Sequence, residues 1–154
     1  MNLKNLNVDF NGSSYAGFDF SNLPLGAALL IASLQIDAAA DAARVAVLGD
    51  PLRALEYERA ATEAKAFAAA GFEGDVPPSV QSWADAAELT PQAAAESITV
   101  EADAWLTALY AIRAARLKGK QGVSKAETHD AAESLTDVAI AAIKASVQGV
   151  GNAA

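Results

Sequence analysis

From Pro24 onward the apolar positions recur at helical spacing, and turn residues cut the pattern into five blocks. The first block opens at Pro24 and closes at Gly49, with Leu29, Leu30, Ser33, Ile36 and Ala40 as its apolar stripe. Asp50-Pro51 restarts the chain with an N-cap and a proline suited to the first helical turn, and a second helix runs to Ala70 before Gly71. Gly74, Asp75, Pro77 and Pro78 are turn chemistry, after which a short helix carries Val80, Trp83 and Ala87 on one side. Thr90-Pro91 opens the longest helix. Along it Ile98, Ala102, Trp105, Leu109, Ile112 and Arg116 alternate spacings of four and three, the seam of a helix packed at a shallow angle, and Leu106 and Tyr110 widen that stripe. Gly119 and Gly122 are expected to break the helix. Ser124 and Glu127 then form a capping box for a last helix to Gln148, with Leu135, Val138, Ala139, Ala142 and Ile143 inward.

The segment before Pro24 has a different character. Phe10, Tyr15, Phe18 and Phe20 fall within residues 1–22, where helix formers are scarce. Asn11-Gly12, between Val8-Asp9-Phe10 and Ser13-Ser14-Tyr15, reads as the turn of a short β-hairpin, because a type I′ turn needs positive φ at both central positions. A lone two-stranded hairpin is marginal in water, so this arm packs on the helices, pairs with another chain, or stays disordered when free. The expected fold is all-α: an alanine-rich antiparallel bundle of about five helices over residues 23–148, with a non-helical aromatic arm at 1–22 and a frayed end at 149–154.

Composition changes this picture mainly at the core. Hydrophobic residues make up 53% of the 154 positions, but roughly a quarter of the chain is alanine, far above ordinary usage. One methyl buries little, so the core depends on scattered larger residues, with alanine allowing close helix approach. The net charge of −8 argues against nucleic acid or an anionic membrane surface as the main partner. There is no cysteine, which removes disulfides, thiolate metal sites and cysteine nucleophiles, and suits a reducing cytoplasm. The apolar run from Leu23 to Leu34 is about half a membrane span, and no export signal is legible after Met1, so a soluble protein is expected.

No residue set reads as catalytic. His129 is the single histidine, which excludes a two-histidine metal site within one chain, and it is expected on a solvated helix face beside Glu127, Asp130 and Glu133. Glu96, Glu101 and Asp103 lie near Trp105; Glu96 and Asp103 are a heptad apart, but acids near a helix start are already favoured by the macrodipole. Gly71, Gly74 and Asp75 offer too few carboxylates for a calcium loop. Lys118 to Gly122 lacks phosphate-loop spacing; Arg113, Arg116, Lys118 and Lys120 are expected to offset the dipole of their helix, with gripping of an acidic partner as the other reading. Trp83 and Trp105 are read as core anchors, and an exposed one would suit a partner interface. No cofactor and no metal are expected.

Within Tyr57 to Lys120 a series of landmarks follows in order: Ala70-Gly71-Phe72, Val76-Pro77-Pro78, Ser82-Trp83-Ala84, Thr90-Pro91-Gln92-Ala93-Ala94-Ala95, Glu101-Ala102 with Trp105, and Ile112-Arg113 with Arg116-Leu117 and Gly119-Lys120. Over about residues 35–120 this wording resembles small tail proteins of tailed bacteriophages, of the tail-fibre assembly or accessory type. The resemblance implies a non-catalytic protein that binds the tail-fibre protein or its folding intermediate in the host cytoplasm, as an assembly chaperone. The alternatives are a structural part kept on the fibre or baseplate of the virion, and a small enzyme. Phe10, Tyr15, Phe18, Phe20 and Trp83 are the candidate partner-binding residues. The Ile98–Arg116 seam leaves a homo-oligomer open.

Overall fold

The computed structural model describes residues 1–149. In chain order these form strands β1 (Leu6–Phe10) and β2 (Ser13–Phe18), a 3-10 turn (Phe20–Asn22), and helices α1 (Leu25–Leu48), α2 (Pro51–Ala69), α3 (Pro78–Ala87), α4 (Pro91–Val123) and α5 (His129–Ala145). The fold is mainly helical, with a two-stranded antiparallel sheet at its start. The expected end at 149–154 lies outside the described residues apart from Gly149.

Local chemistry explains the boundaries. Pro24 carries the first carbonyl of α1, accepting from the Ala28 N–H at 3.0 Å. Asp50 accepts from the Leu52 N–H at 2.7 Å and Thr90 Oγ1 from the Ala93 N–H at 3.2 Å, so both cap-plus-proline starts form as read. Gly71 and Phe72 turn left-handed after α2, at φ 72° and 61°, and the Phe72 N–H returns to the Phe67 carbonyl at 3.0 Å. The N-cap position of α3 is Pro77, which has no capping side chain; Glu63 of α2 reaches across and accepts from the Ser79 N–H at 3.0 Å.

Two expectations about α4 and α5 are corrected. Gly119 and Gly122 do not break α4, which continues to Val123. They are where neighbours come close: a Cβ at Gly119 would overlap Ala139 and press on Ile36, and one at Gly122 would stand 3.3 Å from Leu135. The Ser124 capping box does not form either. Residues 124–126 continue the turn, with the Ser124 N–H bonded to the Lys120 carbonyl at 2.9 Å, and α5 starts at His129, capped by Thr128 Oγ1 on the Ala131 N–H at 3.1 Å.

The chain divides into two compact units, and α1 and α4 each run through both. The first comprises Met1–Arg44 and Leu109–Gln148. Its core is made of Leu6, Val8, Phe20, Leu23, Ala28, Ala32, Ile36, Ala40, Ile112, Val123, Ala132, Ala139 and Ile143. Thr136 is the one buried polar side chain of the described residues and donates to the Ala132 carbonyl at 2.7 Å. The second unit, residues 45–108, packs Ala64, Phe67, Val80, Ala84, Ala94 and Ala95 together, with Phe72, Val76, Trp83 and Ile98 against them.

Burial follows small residues more than large ones. On α1 the buried line is Ala28, Ala32, Ile36, Ala40 and Ala43, whereas the expected Leu30 is exposed. On α5, Ala139 and Ile143 are inward as expected and Leu135 lies at the edge, against Gly122 of α4, but the expected Val138 and Ala142 are exposed. Leu106 and Tyr110 likewise face away from the α4 seam. The expected span of apolar sequence is also longer than Leu23–Leu34. Over Leu25–Val47, α1 is long and apolar enough to cross a membrane by length and composition, with a mean hydropathy of 1.4.

Candidate functional site: an aromatic hairpin with an open edge

The arm folds as the hairpin that Asn11-Gly12 implies. Both turn residues have positive φ, 50° and 78°, and the register pairs Phe10 with Ser13, Asp9 with Ser14, Val8 with Tyr15 and Asn7 with Ala16. Gly17 is an extra residue at φ 74° opposite the Leu6/Asn7 step, a bulge of the kind that favours glycine, and its N–H donates to Asn7 Oδ1 at 2.9 Å. Cross-strand partners share a face, so Leu6, Val8 and Phe10 lie with Tyr15 and Phe18, while Asn7, Asp9, Ser14 and Ala16 form the polar side.

The first unit holds this hairpin at several points. The Phe10 ring lies on the backbone of α1 at Gly26, where any Cβ would collide with it. Phe20 is 2% exposed and stands edge-on to His129, ring centroids 5.7 Å apart. His129 Nε2 sits 2.9 Å from the Leu23 carbonyl. His129 therefore ties α5 to the end of the arm, and its expected place on a solvated face is corrected. Gln35 of α1 makes two bonds to the Asn2 backbone, at 2.6 and 2.8 Å. The Phe20 N–H reaches the Leu3 carbonyl at 2.9 Å, and the amine of Met1 pairs with Asp137 of α5.

The five candidate partner-binding residues thus have different situations. Phe20 is spent on the core of its own unit, and Phe10 is half-buried against Gly26. Trp83 packs on the core of the second unit and is half-buried. Tyr15 and Phe18 meet edge to face at 5.6 Å, and Phe18 keeps 38% of its surface exposed. Tyr15 and Phe18 are the two that flank an open strand. β2 pairs with β1 alone, and apart from half-buried Tyr15 every residue of β2 is exposed. Antiparallel pairs alternate, and the Phe10–Ser13 pair closes the two-residue turn. Ser14 and Ala16 therefore turn their N–H and C=O groups to the unpaired side.

The charged constellations are structural in their contacts. Asp37 of α1 accepts from Arg116 Nε at 2.6 Å and from Lys120 Nζ, so two of the four cations near the end of α4 serve a carboxylate of this chain. Burial pushes the Asp37 carboxyl up, but the hydrogen bonds and charges of Lys120 and Arg116 together outweigh it and hold it below the usual carboxylate value. The bonds from Ser79, then that from Arg59, depress Glu63 in the same way. Glu96 accepts from Gln92 at 2.9 Å and Asp103 from Lys65 at 2.7 Å. Glu101 has its carboxyl raised by burial. The three acids near Trp105 thus have different surroundings, and Trp105 itself stands edge-on to Tyr57 at 4.3 Å. Among the described residues no group of three or more histidine or acidic side chains is placed to hold a metal ion.

Sequence reasoning missed Asp37 and the ties of His129 and Gln35, because contacts 33 to 106 residues apart leave no periodic mark. Comparison with protein-family models, curated proteins and solved structures yields no match.

Proposed function

We propose that this protein acts by contact and not by catalysis, as a tail-fibre-associated protein of a tailed bacteriophage that serves as an assembly chaperone for the fibre. The biological context comes from the resemblance over about residues 35–120. The observation that supports a contact role is the open edge of β2, with Tyr15 and Phe18 beside it and the inner face of the hairpin anchored on α1. Fibre chains expose apolar surface and unpaired strands before they trimerise. A preformed edge strand takes such a segment by main-chain hydrogen bonds, and neighbouring aromatic side chains add apolar contact. The protein works in the host cytoplasm while the fibre folds, and no cofactor enters the scheme.

Co-expression of the fibre of the same phage with and without this chain tests the reading. Soluble trimeric fibre should rise when the chain is present; equal yields would sink the chaperone role. A second reading, a part retained on the fibre or baseplate, is favoured by the rigid anchoring of the hairpin, since a preformed edge also suits a permanent joint. Proteomics of purified particles separates the two: a retained part occurs in fixed ratio to the fibre, and a chaperone does not.

A further inference from the structure

At the tip of the hairpin a free side-chain amide stands next to an unshielded backbone nitrogen. Asn11 and Gly12 are both exposed, and a Cβ built on Gly12 would meet nothing within 4 Å. The Phe10–Ser13 pair closes the loop from outside, so the Gly12 N–H is not part of the ladder, and no turn hydrogen bond uses it among the described residues. Nor does any hydrogen bond among the described residues engage the Asn11 carboxamide. By contrast, Asn2 Oδ1 accepts from the Lys4 N–H at 3.1 Å and Asn7 Oδ1 from the Gly17 N–H at 2.9 Å. The following residue matters as much. Asn2, Asn5, Asn7 and Asn22 precede Leu3, Leu6, Val8 and Leu23, whose side chains crowd the nitrogen, and Leu6, Val8 and Leu23 are buried as well. Asn11 alone precedes glycine, which leaves its nitrogen open and its backbone free to turn.

We propose that Asn11 is a modification site, at which the side-chain amide is lost spontaneously and gives the hairpin a built-in lifetime. The Gly12 nitrogen attacks Cγ of Asn11, its proton leaves with the amide nitrogen as ammonia, and a succinimide ring joins the two residues. Water then opens the ring. Addition at the side-chain carbonyl leaves aspartate; addition at the main-chain carbonyl leaves isoaspartate, in which the backbone runs through the former side chain. Water is the only co-reactant, and asparagine is among the thermolabile residues. Ring closure needs rotation about the Cα–C bond of Asn11 out of the turn, so the reaction runs through brief local openings of the exposed loop. The two products differ in effect. Asp-Gly suits the same type I′ turn, so aspartate keeps the hairpin. Isoaspartate adds a methylene to the main chain of a two-residue loop, which then no longer closes on Phe10 and Ser13. The pairs from Asp9–Ser14 to Asn7–Ala16 take their register from that closure, and so does the outward setting of Ser14 and Ala16. Isoaspartate at this position therefore ends the open edge of β2 as a pairing site. This proposal rests on the hairpin and is independent of the fibre reading.

Peptide mapping of the full chain after storage in warm neutral buffer tests it. Amide loss at Asn11 should be at least about tenfold faster than at any other asparagine. It should quicken in mild alkali, where the attacking nitrogen loses its proton more readily, and it should not occur at this position in Asn11→Gln. The isoaspartyl form, resolved by ion exchange, should melt at a lower temperature than the wild type, because Leu6 and Val8 of β1 belong to the core of the first unit. Asn11→Asp should melt with the wild type. Loss at Asn11 no faster than at the other asparagines would overturn the site, and an isoaspartyl form as stable as Asn11→Asp would overturn its effect on the hairpin.

Discussion

At Gly119 the backbone of α4 comes so close to Ala139 and Ile36 that a methyl group has no room. Gly119→Ala should therefore destabilise the first unit by about 1–3 kcal/mol in urea unfolding, although alanine is the better helix former by about 1 kcal/mol. A stabilised variant would mean that the helices are farther apart than described. Two carboxylates make opposite pH predictions. Asp37 has a depressed folded pKa, so its contribution is complete above the unfolded value of 3.8 and is lost as pH falls through the lower folded value. Asp37→Asn should lower the melting temperature at pH 7 and lose that deficit in strong acid. Glu101 is raised above 4.5, so its contribution is present below that value and is lost as pH rises through the folded one. Glu101→Gln should raise the melting temperature at pH 7 and leave it unchanged near pH 3; thermal scans at both pH values check each variant. Glu101 stood out in the sequence only as one of three acids near Trp105, and its burial left no mark there. Asp37 looks like any acid on a helix until α4 brings Arg116 and Lys120 to it.

Elements were most legible where one residue decides locally. Asp50-Pro51, Thr90-Pro91 and Asn11-Gly12 each determine a cap or turn within four residues, and each forms as read. The boundary between α4 and α5 failed because two caps compete. Ser124 with Glu127 has the better local signature, but α4 continues through Gly122 because its glycines serve close packing, and the following turn consumes residues 124–126. Thr128 is left to cap α5. Thr128→Ala should therefore cost about 1 kcal/mol and Ser124→Ala only a few tenths, as read by chemical denaturation; the reverse order would restore the capping box. Helix faces were misread for a related reason. Where alanine occupies every side of a helix, the large residues do not mark the inward face, and close approach favours Ala28, Ala32 and Ala40 over Leu30.

For the whole molecule, the helical class and the separate arm follow from the pattern of turn residues, whereas the two-unit division does not. It passes through α1 and α4, where nothing in the local sequence changes. The charge does change. With eleven acids and three cations, residues 45–108 are a strongly acidic unit in a chain whose other unit is neutral. The proposed contact role, by contrast, rests on the hairpin, whose candidate residues the sequence grouped by composition alone. Of these, Tyr15 and Phe18 remain beside an open edge, and Phe20 does not. The substitution that separates edge pairing from general stickiness is Ala16→Pro. It removes an outward N–H that β1 does not use, and an edge strand tolerates proline. The most direct test is retention of the phage's own fibre by tagged wild type and by tagged Ala16→Pro of equal thermal stability. The wild type should hold the fibre, and the variant should bind at least about tenfold more weakly. Equal retention by both, or no retention by the wild type, would contradict a fibre-binding role for the open edge of β2.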